Sequence, residues 1–579
     1  MLRGGEGVYF PKLSEPPQKR VTVDRFLGLD RRRRASEGAL AAMENLTGAH
    51  YPALAVRSRR SAAGTAVKPG GLTAKDALIW VDGTALYVGG IKTGLVLTEG
   101  LKQLVSMGAY LVIWPDKKYI NTKDLTDFGS LERSYESTGT VTLRLCRADG
   151  TDFGDWQAGG SAPEGAQSGA LWVDTAAQTP VLRRFDGESW SAVDGVCVEI
   201  RAAGIGEGFR AGDGVEIDGC ADERMNGSFL LERAESGAIV VPGILTQTVS
   251  QTETLTVSRS VPEMDYVIEC GNRLWGCKYG LVDGETVNEI YASKLGDFKN
   301  WNCFAGLSTD SYAAVRGSDG PFTGAADYLG SPIFFKEDCL ERVYPSASGA
   351  HQIVTTRCSG VRRGDWRSVQ VVDGKLYYHS AGGVCVFDGS LPVVVSQVLG
   401  EERYTDAAAG SLDGRYYLSA KGADGAWVLL VYDARRGLWH AESGVQAVGF
   451  TRAGESLYAL SADGTLWDLT GHDGTQEKCV SWMGESGDLG LSSPENRYLQ
   501  RLDLRMALES GSGVRLYVSY DGGASWELRG SMQAAGRVQD CLLHVRPRRA
   551  KQLRLRLTGE GGMVLYSVSA VYEKGSDGP

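Results

Sequence analysis

The chain has 579 residues, of which 42% are hydrophobic and 23% charged, a balance that excludes a disordered chain and is too long for one ordinary core. Its formal net charge of −10 argues against a protein that grips duplex DNA over a wide surface. The 77 glycines, with 24 Tyr and 13 Trp but only 17 Pro, point to many short strands joined by tight turns, as in propellers, sandwiches and barrels.

The charge is uneven along the chain. Residues 1 to 70 hold 13 Lys/Arg against 6 Asp/Glu, an excess of +7 that leaves −17 for the rest. This segment predicts a basic arm with one short helix over "RRRRASEGALAAMENLTG": Ser36 is the N-cap, Leu40, Met43 and Leu46 form the apolar stripe, and Gly48 is the stop. A helix this short needs a partner surface. The opening "MLRGGEGVYFPK" lacks the apolar stretch of a signal peptide and no run approaches 18 apolar residues, so synthesis in a cytoplasm without a spanning segment is expected.

From about residue 77 a phrase recurs in which a Gly-bearing polar turn precedes a short run rich in Leu and Tyr, as in "VDGTALYVGG" at 81, "VDGKLYYHSAGG" at 372, "LDGRYYLSAKG" at 412 and "AGESLYALSADG" at 453. The spacing between Asp373, Asp413 and Gly454 is about 40 residues, the length of one four-stranded propeller blade. The expected architecture is therefore an all-β propeller of roughly five or six blades over residues 71–137 and 257–473. Between 138 and 256 the repeat vanishes, and a Gly/Ala/Ser-rich linker leads into an inserted small β-module. From 474 to 579 longer alternating runs predict a C-terminal β-sandwich.

Candidate chemistry is sparse. The 11 cysteines never form C-x-x-C, and the six histidines lack H-x-x-H or H-E-x-x-H spacing, so neither a metal site nor a cofactor is expected. Asp297, Glu337, Asp338 and Glu341 lie near one another in sequence but beside turns, where acids are common. No nucleophile elbow or phosphate-binding P-loop is present. "VSYDGGASWEL" carries Ser519, Asp521, Gly523 and Trp526 at the spacing of the sialidase Asp-box. It occurs once and outside the repeats, so it predicts a hairpin turn rather than a catalytic group, and no catalytic activity is expected of the chain. In "RPRRAKQLRLR", Arg554 and Arg556 alternate with leucines like the solvent face of a strand, whereas "DRRRR" at 30–34 is dense enough for an acidic neighbour or phosphate.

The phrase "FLGLDRRRRASEGALAAMENLTGAHYPALAVRSRR" resembles the opening of phage tail proteins, with F-x-G-L, then M-x-N-L, then P-x-L-x-x-R. "NEIYASKLGDFKNWNCF", residues 288 to 304, resembles the S-x-x-G-D-F-x-N-W phrase of the same group, the tail nozzle or tail tubular protein B type and the DNA-stabilisation proteins of short-tailed phages. The resemblance implies a structural virion protein: a ring of about six copies around a channel that DNA passes on ejection, joined to neighbouring tail or adaptor proteins. Within it, Phe26, Leu29, Arg31, Arg32, Arg33, Arg34, Leu40, Met43, Arg57, Arg59 and Arg60 form an assembly arm that clamps an acidic neighbour. Two alternatives keep the fold: a tail-tip propeller that binds a host receptor or glycan, and a sialidase-type glycoside hydrolase.

Overall fold

The computed structural model describes residues 18–32, 36–489, 497–545 and 553–574. The protein is all-β: a β-propeller with an inserted β-module and a terminal β-sandwich. Among the described residues, helix is confined to the 3-10 turns Glu223–Met225, Trp366–Ser368 and Gln397–Leu399. The chain divides into two compact units, one built from residues up to Ala74 together with those from Gly364 on, the other from Lys75 to Arg363.

In the first unit the recurring phrase becomes antiparallel four-stranded meanders. Gln370–Val372, Lys375–Ser380, Gly383–Phe387 and Val393–Val394 make one, and Thr405–Leu412, Arg415–Lys421, Trp427–Asp433 and Leu438–Ser443 the next. Their Asp-Gly dipeptides are the hairpin turns. Asp373 and Gly374 have φ +45° and +77°, and Asp413 and Gly414 have φ +50° and +72°, two successive positive values that match the right-handed twist of the strands they join. A third sheet, Ala447–Ala453, Ser456–Ser461 and Thr465–Asp468, is extended by Ser61–Thr65, with Asp468 opposite Ser61 and Thr465 opposite Thr65.

The terminal sandwich draws strands from both ends of the chain. Met563–Lys574 pairs with Arg497–Leu508 on one side and with Gln18–Val23 and Leu54–Val56 on the other. The second sheet runs Leu40–Glu44, Ser481–Ser486, Arg554–Glu560, Gly513–Ser519 and Glu527–Gln533. Residues 18–56 are thus part of the sandwich, and the expected helix over 36–48 does not form. A bulge between Leu40 and Ala42 puts Leu40 and Met43 on one face of this second sheet; past the left-handed Asn45 at φ +57° the chain crosses to the first sheet, where Leu46 pairs with Val56 and meets Leu40 over Gly484. A bulge and a crossing between the two sheets thus reproduce the spacing of three that a helix would also give.

One hydrophobic core joins these parts. Phe26, Leu29, Met43, Leu46 and Leu54 pack with Leu418, Leu430 and Trp439 of the meanders and with Leu502, Leu504 and Leu516 of the sandwich. The partner surface that the N-terminal segment requires is supplied by the same chain.

The second unit carries the strands Leu78–Asp82, Ala85–Val88 and Ile91–Val96, then meanders beginning at Gln103–Met107, Tyr266–Glu269 and Gly324–Tyr328. The insert leaves and rejoins through Arg133–Glu136 and Thr256–Arg259, which pair antiparallel with Arg133 opposite Arg259. Inside it, Val141, Leu143, Val198, Ile200, Ile217 and Val257 belong to a core made only of insert residues. These paired strands place the module's ends a few residues outside 138–256.

Candidate functional site

The residues of the N-terminal phrase are occupied by internal packing. A Cβ on Gly28 would lie 2.3 Å from the Trp439 carbonyl oxygen, and the Leu29 amide donates to that same oxygen at 2.7 Å. Asn45 accepts from Arg57 Nε at 2.8 Å and from the Ser443 amide at 2.9 Å, while its Nδ2 donates to the Ser481 carbonyl at 2.8 Å. Arg57 and Arg60 are buried, paired with Glu477 and Glu442 respectively at 2.8 and 2.9 Å. Phe26, Leu29 and Met43 are core residues, and Leu40 packs against that core. Arg32 clasps Asp30 through two hydrogen bonds of 2.9 and 2.6 Å. Arg33 and Arg34 lie outside the described residues. Of the eleven residues proposed for an intersubunit clamp, Arg59 is the arginine left exposed without an ion-pair partner among the described residues.

The second phrase is likewise a junction. Asn300 Nδ2 donates to Asp297 Oδ2 at 2.6 Å and to Asp213 Oδ1 of the insert at 3.0 Å, and its Oδ1 accepts from the Gly214 amide at 3.1 Å. Asp213 is also ion-paired with buried Arg259. Phe298 and Trp301 are core residues.

The acids near one another in sequence do not converge. Glu341 is fully buried and holds Arg316 at 2.7 Å. Asp338 pairs with Arg357, and Glu337 accepts from the Arg363 amide at 3.2 Å. Among the described residues no group of three or more His, Cys, Asp or Glu is placed to hold a metal.

The Asp-box residues sit in the turn between Gly513–Ser519 and Glu527–Gln533. Ser519 Oγ donates to Asp521 Oδ1 at 2.7 Å and accepts from the Gly523 amide at 2.8 Å; Asp521 also accepts from the Ser525 amide at 2.9 Å. These donors, led by the Ser525 hydroxyl and amide, hold the Asp521 carboxyl well below its ordinary range. Trp526 lies under the Arg556 guanidinium, 3.9 Å from its ring centroid. Arg556 and Arg554 in turn bond Glu485 and Asp488.

A concave site that the sequence did not reveal lies in the first unit. A cavity of about 610 Å³ is lined by Arg31, His379, Glu402 and Tyr404 and rimmed by Gly382, Gly383 and Gly400. The Tyr404 hydroxyl donates to Glu402 Oε2 at 2.8 Å and accepts from Arg31 Nη1 at 2.8 Å, and Arg31 also pairs with Glu402. Burial of the phenol raises its pKa against the opposing pull of Arg31, so near neutral pH Tyr404 is a fixed neutral donor. Asp365 Oδ2 holds His379 Nδ1 at 2.7 Å while its Oδ1 accepts the Ala407 amide at 2.9 Å, which orients the imidazole from behind. Two arginine-to-carboxylate and phenol contacts beside a polar histidine make a hydrogen-bonding surface suited to hydroxylated ligands. Arg31 was the one signal in the sequence; Glu402 and Tyr404 join it only through the fold.

No family model and no curated protein matches the chain. Among solved structures, an exo-β-1,3-galactanase from Phanerochaete chrysosporium aligns over 52% of this chain and 94% of its own, at 9% identity and a TM-score of 0.22. A sialidase from Trypanosoma rangeli aligns over 94% of this chain and 96% of its own, at 8% identity and a TM-score of 0.23. The endosialidase of phage phi92 aligns over 77% of this chain and 56% of its own, at 10% identity and a TM-score of 0.17. With superposition this weak, the likeness transfers no site and no substrate. The expectation that the chain lacks catalytic activity is nevertheless corrected, since the galactanase and the two sialidases among the matched structures are enzymes.

Proposed function

We propose that the chain is a phage-tail propeller protein that recognises a host-surface glycan, with the Arg31–Glu402–Tyr404 pocket as its recognition site. The tail placement is supported by the two sequence phrases, F-x-G-L with M-x-N-L and S-x-x-G-D-F-x-N-W. The recognition is carried by one observation: the Tyr404 hydroxyl, fixed between Arg31 and Glu402 in a cavity of about 610 Å³. Donors and acceptors already oriented there meet sugar hydroxyls without further ordering cost. The ring-forming nozzle reading draws on an arm that reaches a neighbouring subunit, whereas the Gln18–Val23 and Leu40–Glu44 strands lie in the first unit's own sheets.

Binding of the purified chain to a panel of neutral and acidic oligosaccharides tests this. Tyr404→Phe is expected to weaken the best ligand about tenfold, the loss of one hydrogen bond. Reducing ends released in the same incubations separate binding from cleavage. Binding unchanged in Tyr404→Phe, or no ligand from the panel, overturns the reading.

A further inference from the structure

We infer a second binding site, for an oligosaccharide that bears a carboxylate or sulfate, in the cleft of the terminal sandwich lined by residues 50–59, 507–509, Arg537 and 561–564. This cleft belongs wholly to the first unit and has a volume of about 880 Å³, within the range of ligand sites. Arg59 and Arg537 line it from different segments, both exposed and both without an ion-pair partner among the described residues. By contrast Arg57 and Arg60, two residues and one residue away from Arg59, are buried against Glu477 and Glu442. A guanidinium fork matches the geometry of a carboxylate or sulfate.

Two tyrosines give the cleft its second character. Between Ser567 and Leu565 the strand Met563–Lys574 slips by one residue against Arg497–Leu508, leaving Tyr566 as the extra residue of a bulge, 40% exposed and lining the cleft. Tyr51 is held by a hydrogen bond from Arg25 to its hydroxyl and by the Arg25 and Arg436 guanidinium groups, 5.4 and 5.2 Å from its ring centroid. The Tyr566 ring presents flat apolar surface to the CH face of a sugar. Asp24 and Glu509 line the same cleft and can accept from sugar hydroxyls.

The site does not depend on the Tyr404 pocket. Calorimetric titration of the full chain with a hyaluronan hexasaccharide and a heparin-derived hexasaccharide, with maltohexaose as the neutral control, tests it. Either charged probe is expected to bind at least about tenfold tighter than maltohexaose, and the stronger of the two identifies carboxylate or sulfate. Arg59→Ala and Arg537→Ala are each expected to weaken it about tenfold with an unchanged melting curve, and Arg59→Lys to retain part of the affinity. Tyr404→Phe is expected to leave it unchanged, so failure here and failure of the proposed function are told apart. Equal binding of maltohexaose, full affinity in the Arg59→Ala/Arg537→Ala double variant, or equal affinity for inorganic sulfate alone overturns the inference.

Discussion

Arg57 grips Glu477 across 420 residues of sequence, with Nη1 to Oε2 at 2.8 Å and Nη2 to Oε1 at 3.2 Å. Burial alone would raise the Glu477 carboxyl, but the Arg57 hydrogen bonds and the Arg60 amide outweigh it and lower its pKa from the usual 4.5. A lowered carboxyl contributes stability that is present above the unfolded value and lost as pH falls through the folded one. Arg57→Ala is expected to cost about 3 kcal/mol at pH 7, since it strands a partly buried carboxylate. Urea midpoints of the variant should also depend less on pH below the usual carboxylate range than those of the parent chain.

The N-terminal segment is expected to be indispensable to the first unit. Leu29 is 1% exposed, and Leu29→Ala is expected to cost about 2–5 kcal/mol, as for other leucines in closed cores. Removing residues 1 to 60 should abolish cooperative unfolding of the first unit rather than release a folded monomer. Calorimetry of the truncated chain checks this.

The insert should come away cleanly. Arg133 and Arg259 are directly opposite, so a short Gly-Ser bridge between 132 and 260 closes the gap with little loop entropy. Residues 133–259 alone should melt cooperatively on the core of Val141, Ile200 and Val257, and the remaining chain should keep its own transition. A featureless melt of the isolated module would show that it borrows its core from elsewhere.

His440 sets a second dependence on pH. It is 4% exposed, and burial, reinforced by Arg415, pushes its pKa down to about 4. The unfolded chain therefore takes up the proton first, and stability falls as pH drops from about 6.5 towards 4. The loss is on the order of 3 kcal/mol for a shift of this size. In the neutral variant His440→Gln, denaturant midpoints at pH 7 and pH 4.5 should differ less than in the parent chain.

The Asp521 turn offers a local test. Asp521→Ala removes the acceptor of the Ser525 amide and of the Ser519 hydroxyl, so hydrogen exchange should quicken at Ser525. Glycan binding should be unaffected, because neither cavity includes this turn. Reduced binding would give the turn a role beyond the hairpin.

Local chemistry was legible in the sequence. The Asp-Gly pairs at 373 and 413 need two successive positive φ values, and the alternation around them needs one buried face, so strands, turns and propeller spacing follow from short-range rules. The linker and lost repeat marked the insert, because a core of its own leaves the host pattern unbroken on either side. The fate of residues 18–60 was not legible. A spacing of three at Leu40, Met43 and Leu46 fits a helix face, and equally a bulged strand followed, past a left-handed Asn45, by a second strand in the facing sheet. Only pairing with Ser481–Ser486 decides between them. The same holds for charge: Arg57, Arg59 and Arg60 are alike in sequence, but Glu442 and Glu477, brought near by the fold, neutralise two of them and leave Arg59 facing solvent. Long-range contacts also assemble Arg31 with Tyr404 across 373 residues. No local propensity encodes such a pairing, because its energy comes from groups that meet only once the sheets have closed.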